Sequence, residues 1–174
     1  MGHQQVERFE KVVLAHLDDA YTLARYLLKD EHDAQDVVQD ASLRAFRHFD
    51  GFRDGDARAW FLSIVRNCCF TWQRRHRNDR LSIPLDEHST SHAGASAPAD
   101  ALAIARSERE ALQRAVAQLP LEFREVIVLR EVEEMSYTQI ATVTGAPIGT
   151  VMSRLSRARQ RLATALRAGV RETG

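Results

Sequence analysis

The chain has 174 residues, room for one medium domain or two small ones, and its 24 basic and 24 acidic side chains give a formal net charge of zero. That balance argues against a general polyanion binder, but it averages unlike segments: residues 1–80 hold 13 basic and 13 acidic side chains, 81–100 none against three, and 101–174 hold 11 against eight. No run approaches the roughly 18 apolar residues that span a bilayer, and MGHQQVERFEK lacks a signal peptide's apolar core, so a cytosolic chain without membrane insertion is expected.

Cys68 and Cys69 are adjacent within a helical pattern, which excludes a disulfide scaffold. Two small packed side chains in a reduced compartment are expected there in preference to a redox sensor. The seven histidines pair with no other ligand type at a recognised spacing, and there is no glycine-rich phosphate loop or nucleophile elbow. No metal, no cofactor and no catalytic residue is expected.

The first helix is predicted over Val6 to Leu28, with Phe9, Val13, Leu17, Tyr21, Ala24 and Leu28 as its core stripe. After a turn near Lys29 to Glu31 comes DEHDAQDVVQDASLRAFRHF, where Asp30, Glu31, Asp33, Asp36 and Asp40 gather acid toward a helix N-terminus. Ala34, Val38, Ala41, Ala45 and Phe49 fall on the inward face, leaving Gln35, Asp36, Gln39, Asp40, Leu43 and Arg47 outside. An exposed Leu among acids is a candidate protein-binding face, although a solvated helix with one stray apolar residue is the commoner case.

Gly51 and Gly55, with Asp50, Asp54 and Asp56, mark a loop. A helix from near Ala57 then carries Trp60, Phe61, Ile64, Val65, Cys68 and Trp72 and ends in the basic run Arg74, Arg75, His76, Arg77 and Arg80. Trp60 is read as core and the basic tail as a phosphate contact. LSIPLDEHSTSHAGASAPAD, residues 81–100, is too poor in apolar content to fold by itself and reads as a flexible linker.

A helix from about Ala101 to Gln118 follows, with Leu102, Ala105, Leu112, Val116 and Leu119 as its stripe, and Pro120 interrupts it. In LEFREVIVLREVEEM, Phe123, Ile127, Val128 and Val132 are expected to pack. Ser136 is a plausible N-cap for a short helix over Tyr137 to Val143, Gly145 permits a left-handed turn, and Pro147 can open a second helix. That is helix-turn-helix grammar.

In the second helix Ile148, Val151, Leu155, Ala158, Leu162 and Leu166 form the apolar face. The other face shows Thr150, Ser153, Arg154, Arg157 and Arg161. Between Pro147 and Arg171 there are six arginines and no acid, which suits a phosphate-lined groove. The expected fold is all-α: two small helical domains, 1–80 and 101–174, joined by the linker 81–100, with the helix-turn-helix in the second.

Three ordered blocks, DAQDVVQDASLRAFRHFDGFR, ARAWFLSIVRNCCFTWQRRHR and LPLEFREVIVLREVEEMSYTQIATVTGAPIGTVMSRLSRARQRL, resemble those of extracytoplasmic-function sigma factors, the small promoter-recognition subunits of bacterial RNA polymerase. The resemblance implies that Asp36, Gln39, Asp40 and Leu43, with Arg47 beside them, dock on the clamp of the largest polymerase subunit. It implies that the loop Phe52 to Ala59, through Phe52, Arg53 and Asp54, captures a flipped non-template base of the minus-10 element, with Asn67 lining the pocket. Arg74, Arg75 and Arg77 would hold the adjacent single-strand backbone.

The second helix of the helix-turn-helix resembles the family's minus-35 duplex reader, which makes Thr150, Ser153, Arg154, Arg157 and Arg161 the expected contacts. Met152 departs from relatives, which often have a basic residue there. By the same resemblance the flap of the second-largest subunit is a further partner, the linker threads toward the active-site channel, and a separate anti-sigma factor rather than a fused module regulates the chain. Two rivals stand beside this reading: a free-standing regulator that binds duplex DNA as a dimer, and an adaptor that uses the acidic helix only to bind protein.

Overall fold

The computed structural model describes residues 3–80 and 100–172, with side chains over 3–77 and 102–168, and every regular element among them is helical. The expected linker therefore lies outside the described residues except for Asp100, which opens a helix. The N-terminal half holds α1 (His3–Val13), α2 (Leu17–Leu28), α3 (Glu31–His48) and α4 (Ala57–Arg80). The C-terminal half holds α5 (Asp100–Gln118), α6 (Leu121–Ile127), a π-helical turn over Val128–Val132, α7 (Tyr137–Thr144) and α8 (Ile148–Glu172).

The first predicted helix is corrected by the structure into α1 and α2, separated by a 3₁₀ turn at Leu14–His16. Neither Pro nor Gly marks the break, since the tighter winding of a 3₁₀ turn needs neither. It does shift the phase of the stripe: Ala20, Leu23, Ala24 and Leu27 are fully buried, whereas Leu17 and Tyr21 are only partly covered. Lys29 then ends α2 in the left-handed conformation at φ 65°, and the Asp30 carboxylate accepts from the Asp33 N–H at 3.0 Å to start α3.

A second correction concerns α5. Its stripe runs on past its support: Leu102 and Ile104 are 68% and 60% exposed, Ala105 and Leu112 are exposed too, and burial begins only at Ala115, Val116 and Leu119. Periodicity specifies a face, not a partner for it, and among the described residues nothing covers the first half of this one. Val132 is likewise exposed rather than packed, because it closes the wider π turn, and Ile148 at the start of α8 is exposed as well.

The helix-turn-helix forms as its residues dictate. Ser136 and Gln139 make a reciprocal capping box at the start of α7, with the Ser136 hydroxyl accepting from the Gln139 N–H at 3.2 Å and the Gln139 carbonyl from the Ser136 N–H at 2.8 Å. Gly145 closes α7 at φ 69°, a conformation that a Cβ would strain. Val151, Leu155 and Ala158 of α8 are buried against the domain, which turns Ser153 and Arg157 to solvent.

The two halves share one apolar core, and α7 and α6 lie against α4 and α2. Three arginines tie the seam. Arg124 on α6 is buried and donates to the Leu27 carbonyl in the last turn of α2 at 3.0 Å, to Ala117 in the last turn of α5 at 3.0 Å, and to Leu119 just past it at 2.8 Å. Carbonyls at a helix C-terminus lack intrahelical donors, so a single guanidinium, joined at Leu27 by the Gln73 amide at 2.7 Å, serves acceptors from both halves. The other two, Arg58 and Arg66, both project from α4.

Candidate polymerase and promoter surfaces

The face of α3 follows from its inward residues. Ala34, Val37, Val38, Ala41 and Ala45 are buried, and Asp36, Gln39, Asp40, Leu43 and Arg47 all point outward, as the pattern predicts. Leu43 is 53% exposed, flanked by the Asp40–Arg44 ion pair at 2.9 Å. An apolar side chain ringed by charge at the centre of an outward face has the make-up of a docking anchor with a polar rim. Beneath it, burial pushes the Cys68 thiol up, and burial pushes that of Cys69 up to about 12. Both sulfurs are thus held as thiols, the unreactive form.

The loop between α3 and α4 begins in a 3₁₀ turn at Phe49–Gly51 and ends where Asp56 caps α4, its carboxylate accepting from the Ala59 N–H at 2.9 Å. Phe52 is half-buried in an aromatic row, its ring 6.1 Å from Phe49 and 4.9 Å from Trp60, while Arg53 and Asp54 are exposed. Trp60 thus joins the core from one edge, as expected. Asn67 lies exposed further along α4, next to Arg66, and Arg74, Arg75 and Arg77 are exposed at its basic end. Loop, Asn67 and basic end therefore share one helix and its entry, the arrangement a splayed single strand requires: a place for a base, then positive charge for the backbone.

On α8 the five predicted residues part ways. Arg157 is exposed, with no hydrogen bond or ion pair among the described residues. Ser153 donates to the Thr150 carbonyl at 3.0 Å, and Arg161 lies over the Phe123 ring at 4.9 Å. Arg154 is only partly exposed and turns toward Glu125 on α6, Nη1 to Oε1 3.8 Å. Arg157 is thereby the side chain most available to a guanine edge or a phosphate.

Sequence reasoning missed the seam between the halves. Glu125, fully buried, takes two of the three Arg66 nitrogens, Nε at 2.7 Å and Nη2 at 3.1 Å, in addition to Arg154. Burial raises the Glu125 carboxyl pKa, against the pull of the two guanidiniums. Arg58 bridges Asp19 on α2, 2.7 Å, and Glu133 beyond the π turn, 2.6 Å. Burial, then the charge of Asp19, pushes the Glu133 carboxyl up to about 7 despite Arg58. Gln139 of the capping box donates to Asp56 at 2.5 Å, joining the helix-turn-helix to the start of α4. Burial disfavours the charge on Asp56, but the Ala59 N–H and the Gln139 amide outweigh it, and its pKa lies below the usual range.

Among the described residues there is no group of His, Cys, Asp or Glu that could hold a metal ion, and no helix is long and apolar enough to cross a membrane.

Comparison with known proteins places both halves. The sigma-70 region 2 model matches residues 12–79, and the model for sigma-70 region 4 matches residues 109–162. The RNA polymerase sigma-H factor of Pseudomonas aeruginosa is 33% identical over 175 residues, covering 94% of this chain and 89% of that protein. The ECF RNA polymerase sigma factor SigE of Mycolicibacterium smegmatis is 32% identical over 154 residues, which span 88% of this chain but 60% of that protein. The sigma factor RpoE of Bartonella quintana, solved in complex with the anti-sigma factor NepR, superimposes with a TM-score of 0.73 at 27% identity, covering 92% of this chain and 98% of that one. CnrH, solved with the cytosolic domain of CnrY, gives a TM-score of 0.68 at 29% identity. On this evidence the chain belongs to the extracytoplasmic-function sigma factors of bacterial RNA polymerase.

Proposed function

We propose that the chain binds core RNA polymerase through α3 and reads a promoter through two further surfaces, with residues 1–80 serving docking and minus-10 recognition, 81–100 the connection and 101–174 minus-35 recognition. The observation that carries this reading is the exposure of Asp36, Gln39, Asp40 and Leu43 on α3 together with an unpaired Arg157 on α8. Asp36, Gln39, Asp40, Leu43 and Arg47 meet the clamp of the largest subunit. The flap of the second-largest subunit holds the C-terminal domain.

Thr150, Ser153, Arg157 and Arg161 enter the major groove at the minus-35 element, and Arg154, braced by Glu125, supports them at the groove wall. At the minus-10 element Phe52, Arg53 and Asp54 receive a flipped non-template base, Asn67 lines its pocket, and Arg74, Arg75 and Arg77 hold the strand beyond it. Unstacking costs a few kcal/mol per base, offset by base and phosphate contacts. Melting so driven is binding alone, with no covalent chemistry and no cofactor, and its place is the cytoplasm.

The closed seam adds a step. Glu125 occupies Arg66 on the helix that carries Asn67 and Gln139 occupies Asp56 at its cap, so the halves separate when polymerase and promoter draw them to different sites. An anti-sigma factor, the kind of protein solved with RpoE of Bartonella quintana, would act by covering the docking faces. Selection of promoters from a random-sequence library by the chain with core polymerase tests the reading: two spaced elements should emerge. Selection of a palindrome by the chain alone would favour a dimeric regulator in its place.

A further inference from the structure

The loop that joins α3 to α4 has few anchors of its own. Its interior holds Gly55 at φ 144°, and its internal bonds are those of the Phe49–Phe52 turn and the Asp56 cap. Gln139 holds its end through Asp56 and Trp60 packs on Phe52, and one turn of α1 holds the stretch between. Phe9 meets the rings of Phe46 and Phe49 edge-on at 5.0 and 5.3 Å. Gln5 donates its amide to Asp50, and Arg8 donates from Nη2 to the Arg53 carbonyl at 3.0 Å while its guanidinium lies over Phe49 at 5.5 Å. Residues 5, 8 and 9 share one face of a helix, so a single rigid element holds the entry, the aromatic floor and the tip of the loop.

We infer that Arg8 is a positioning residue for minus-10 recognition: by gripping the Arg53 carbonyl it presets the loop so that the Arg53 side chain faces outward toward the strand. This rests on the reading that residues 52–59 capture a minus-10 base. The chemistry favours arginine, whose planar fork can donate to a carbonyl and lie on a ring together, where lysine offers a point charge. The Arg53 side chain itself is exposed and has no partner among the described residues, as a nucleic-acid contact needs. Without Arg8 the loop would have to be ordered by the DNA at the moment of binding, and affinity falls by that amount.

The test uses holoenzyme formed from the full chain and core polymerase. Its probes are a non-template single-stranded oligonucleotide carrying the selected minus-10 sequence, a base-substituted version, and a duplex bearing only the minus-35 element. Arg8→Ala is expected to weaken binding of the first probe about 3- to 10-fold, the range set by ordering one or two groups, and to narrow its margin over the substituted probe. Core and duplex binding, and the salt dependence, stay as in the wild type. Gln5→Ala acts in the same direction, and Arg8→Lys restores binding only in part, which keeps the test open should Arg8→Ala unfold.

A salt slope shallower by about 0.7 would overturn the inference, since Arg8 would then be a phosphate contact in its own right. Unchanged affinity in Arg8→Ala, with Phe52→Ala and Arg53→Ala both weakened, would overturn it while sparing the loop assignment. Unchanged affinity in all three would remove the loop assignment and the inference together.

Discussion

Arg66 on α4 grips both carboxylate oxygens of Glu125 on α6, at 2.7 and 3.1 Å, and does so across the seam between the two halves of the chain. The Arg66 side chain is 17% exposed, that of Glu125 is fully buried, and the guanidinium also rests 3.7 Å from the centroid of the Phe70 ring. Such a planar, two-point pair fixes orientation as well as distance. Within the C-terminal half Glu125 keeps one other partner, Arg154, at 3.8 Å.

Removing Arg66 leaves a buried carboxylate with that longer contact alone. Arg66→Ala is therefore expected to destabilise the closed chain by about 1–3 kcal/mol, read by denaturant unfolding. It should also ease opening, so that core-polymerase affinity is held or raised despite the lower stability. Equal loss of stability and of core affinity would contradict a seam that opens on docking.

The seam should also respond to pH through Glu133. Its carboxyl is raised from 4.5 to about 7, so between those values the folded chain holds a proton that the unfolded chain has released. The folded state then binds more protons, and stability falls as pH rises through that window, by at most about 1.4 kcal/mol per pH unit for one group. Glu133→Gln should flatten that part of the unfolding profile. Glu125, also raised, keeps its contribution of the same sign in the variant. Parallel profiles for wild type and variant would remove Glu133 as the cause.

On the outward face of α3, proposed to dock on polymerase, Asp40 forms an i,i+4 pair with Arg44 in which both side chains are about half exposed. Its loss costs the fold about 0.5 kcal/mol or less. Asp40→Arg should leave the melting temperature nearly unchanged and weaken core-polymerase binding at least tenfold by placing like charge where the wild type offers acid. Undiminished affinity in the folded variant would take α3 out of the polymerase interface.

The arginines of α8 should separate by mutation as they separate in space. Arg157→Ala removes an unpaired guanidinium and is expected to lower affinity for the minus-35 duplex by about 1–3 kcal/mol, the worth of a bidentate base contact, with stability intact. Arg154→Ala also strips Glu125 of a partner, so it should lower stability as well as binding. Melting curves and duplex affinities measured side by side distinguish the two.

Much of this was legible in the chain. The inward and outward residues of α3 lie where a 3.6-residue period puts them, and Ser136, Gly145 and Pro147 punctuate the helix-turn-helix at the positions their backbone preferences dictate. Those are local rules, satisfied within one or two turns. What escaped depends on distant partners. Arg58 and Glu133 are 75 residues apart and Arg66 and Glu125 are 59 apart, and before folding each is one charge among many. The exposed first half of α5 escaped for the opposite reason, because its apolar period promises a neighbour that the described fold does not supply. The tether from Arg8 to Arg53 uses a backbone carbonyl as acceptor, and every residue has one.

Promoter-specific initiation is read most directly by transcription with core RNA polymerase, with and without the purified chain, from fragments carrying two spaced elements selected from a random library. Co-elution of the chain with core enzyme is expected, with transcripts that require the chain and both elements and are lost with Asp40→Arg through core binding and with Arg157→Ala through the upstream element. Transcripts independent of the chain, or a folded chain that binds duplex DNA but no core polymerase, would contradict promoter-specific initiation.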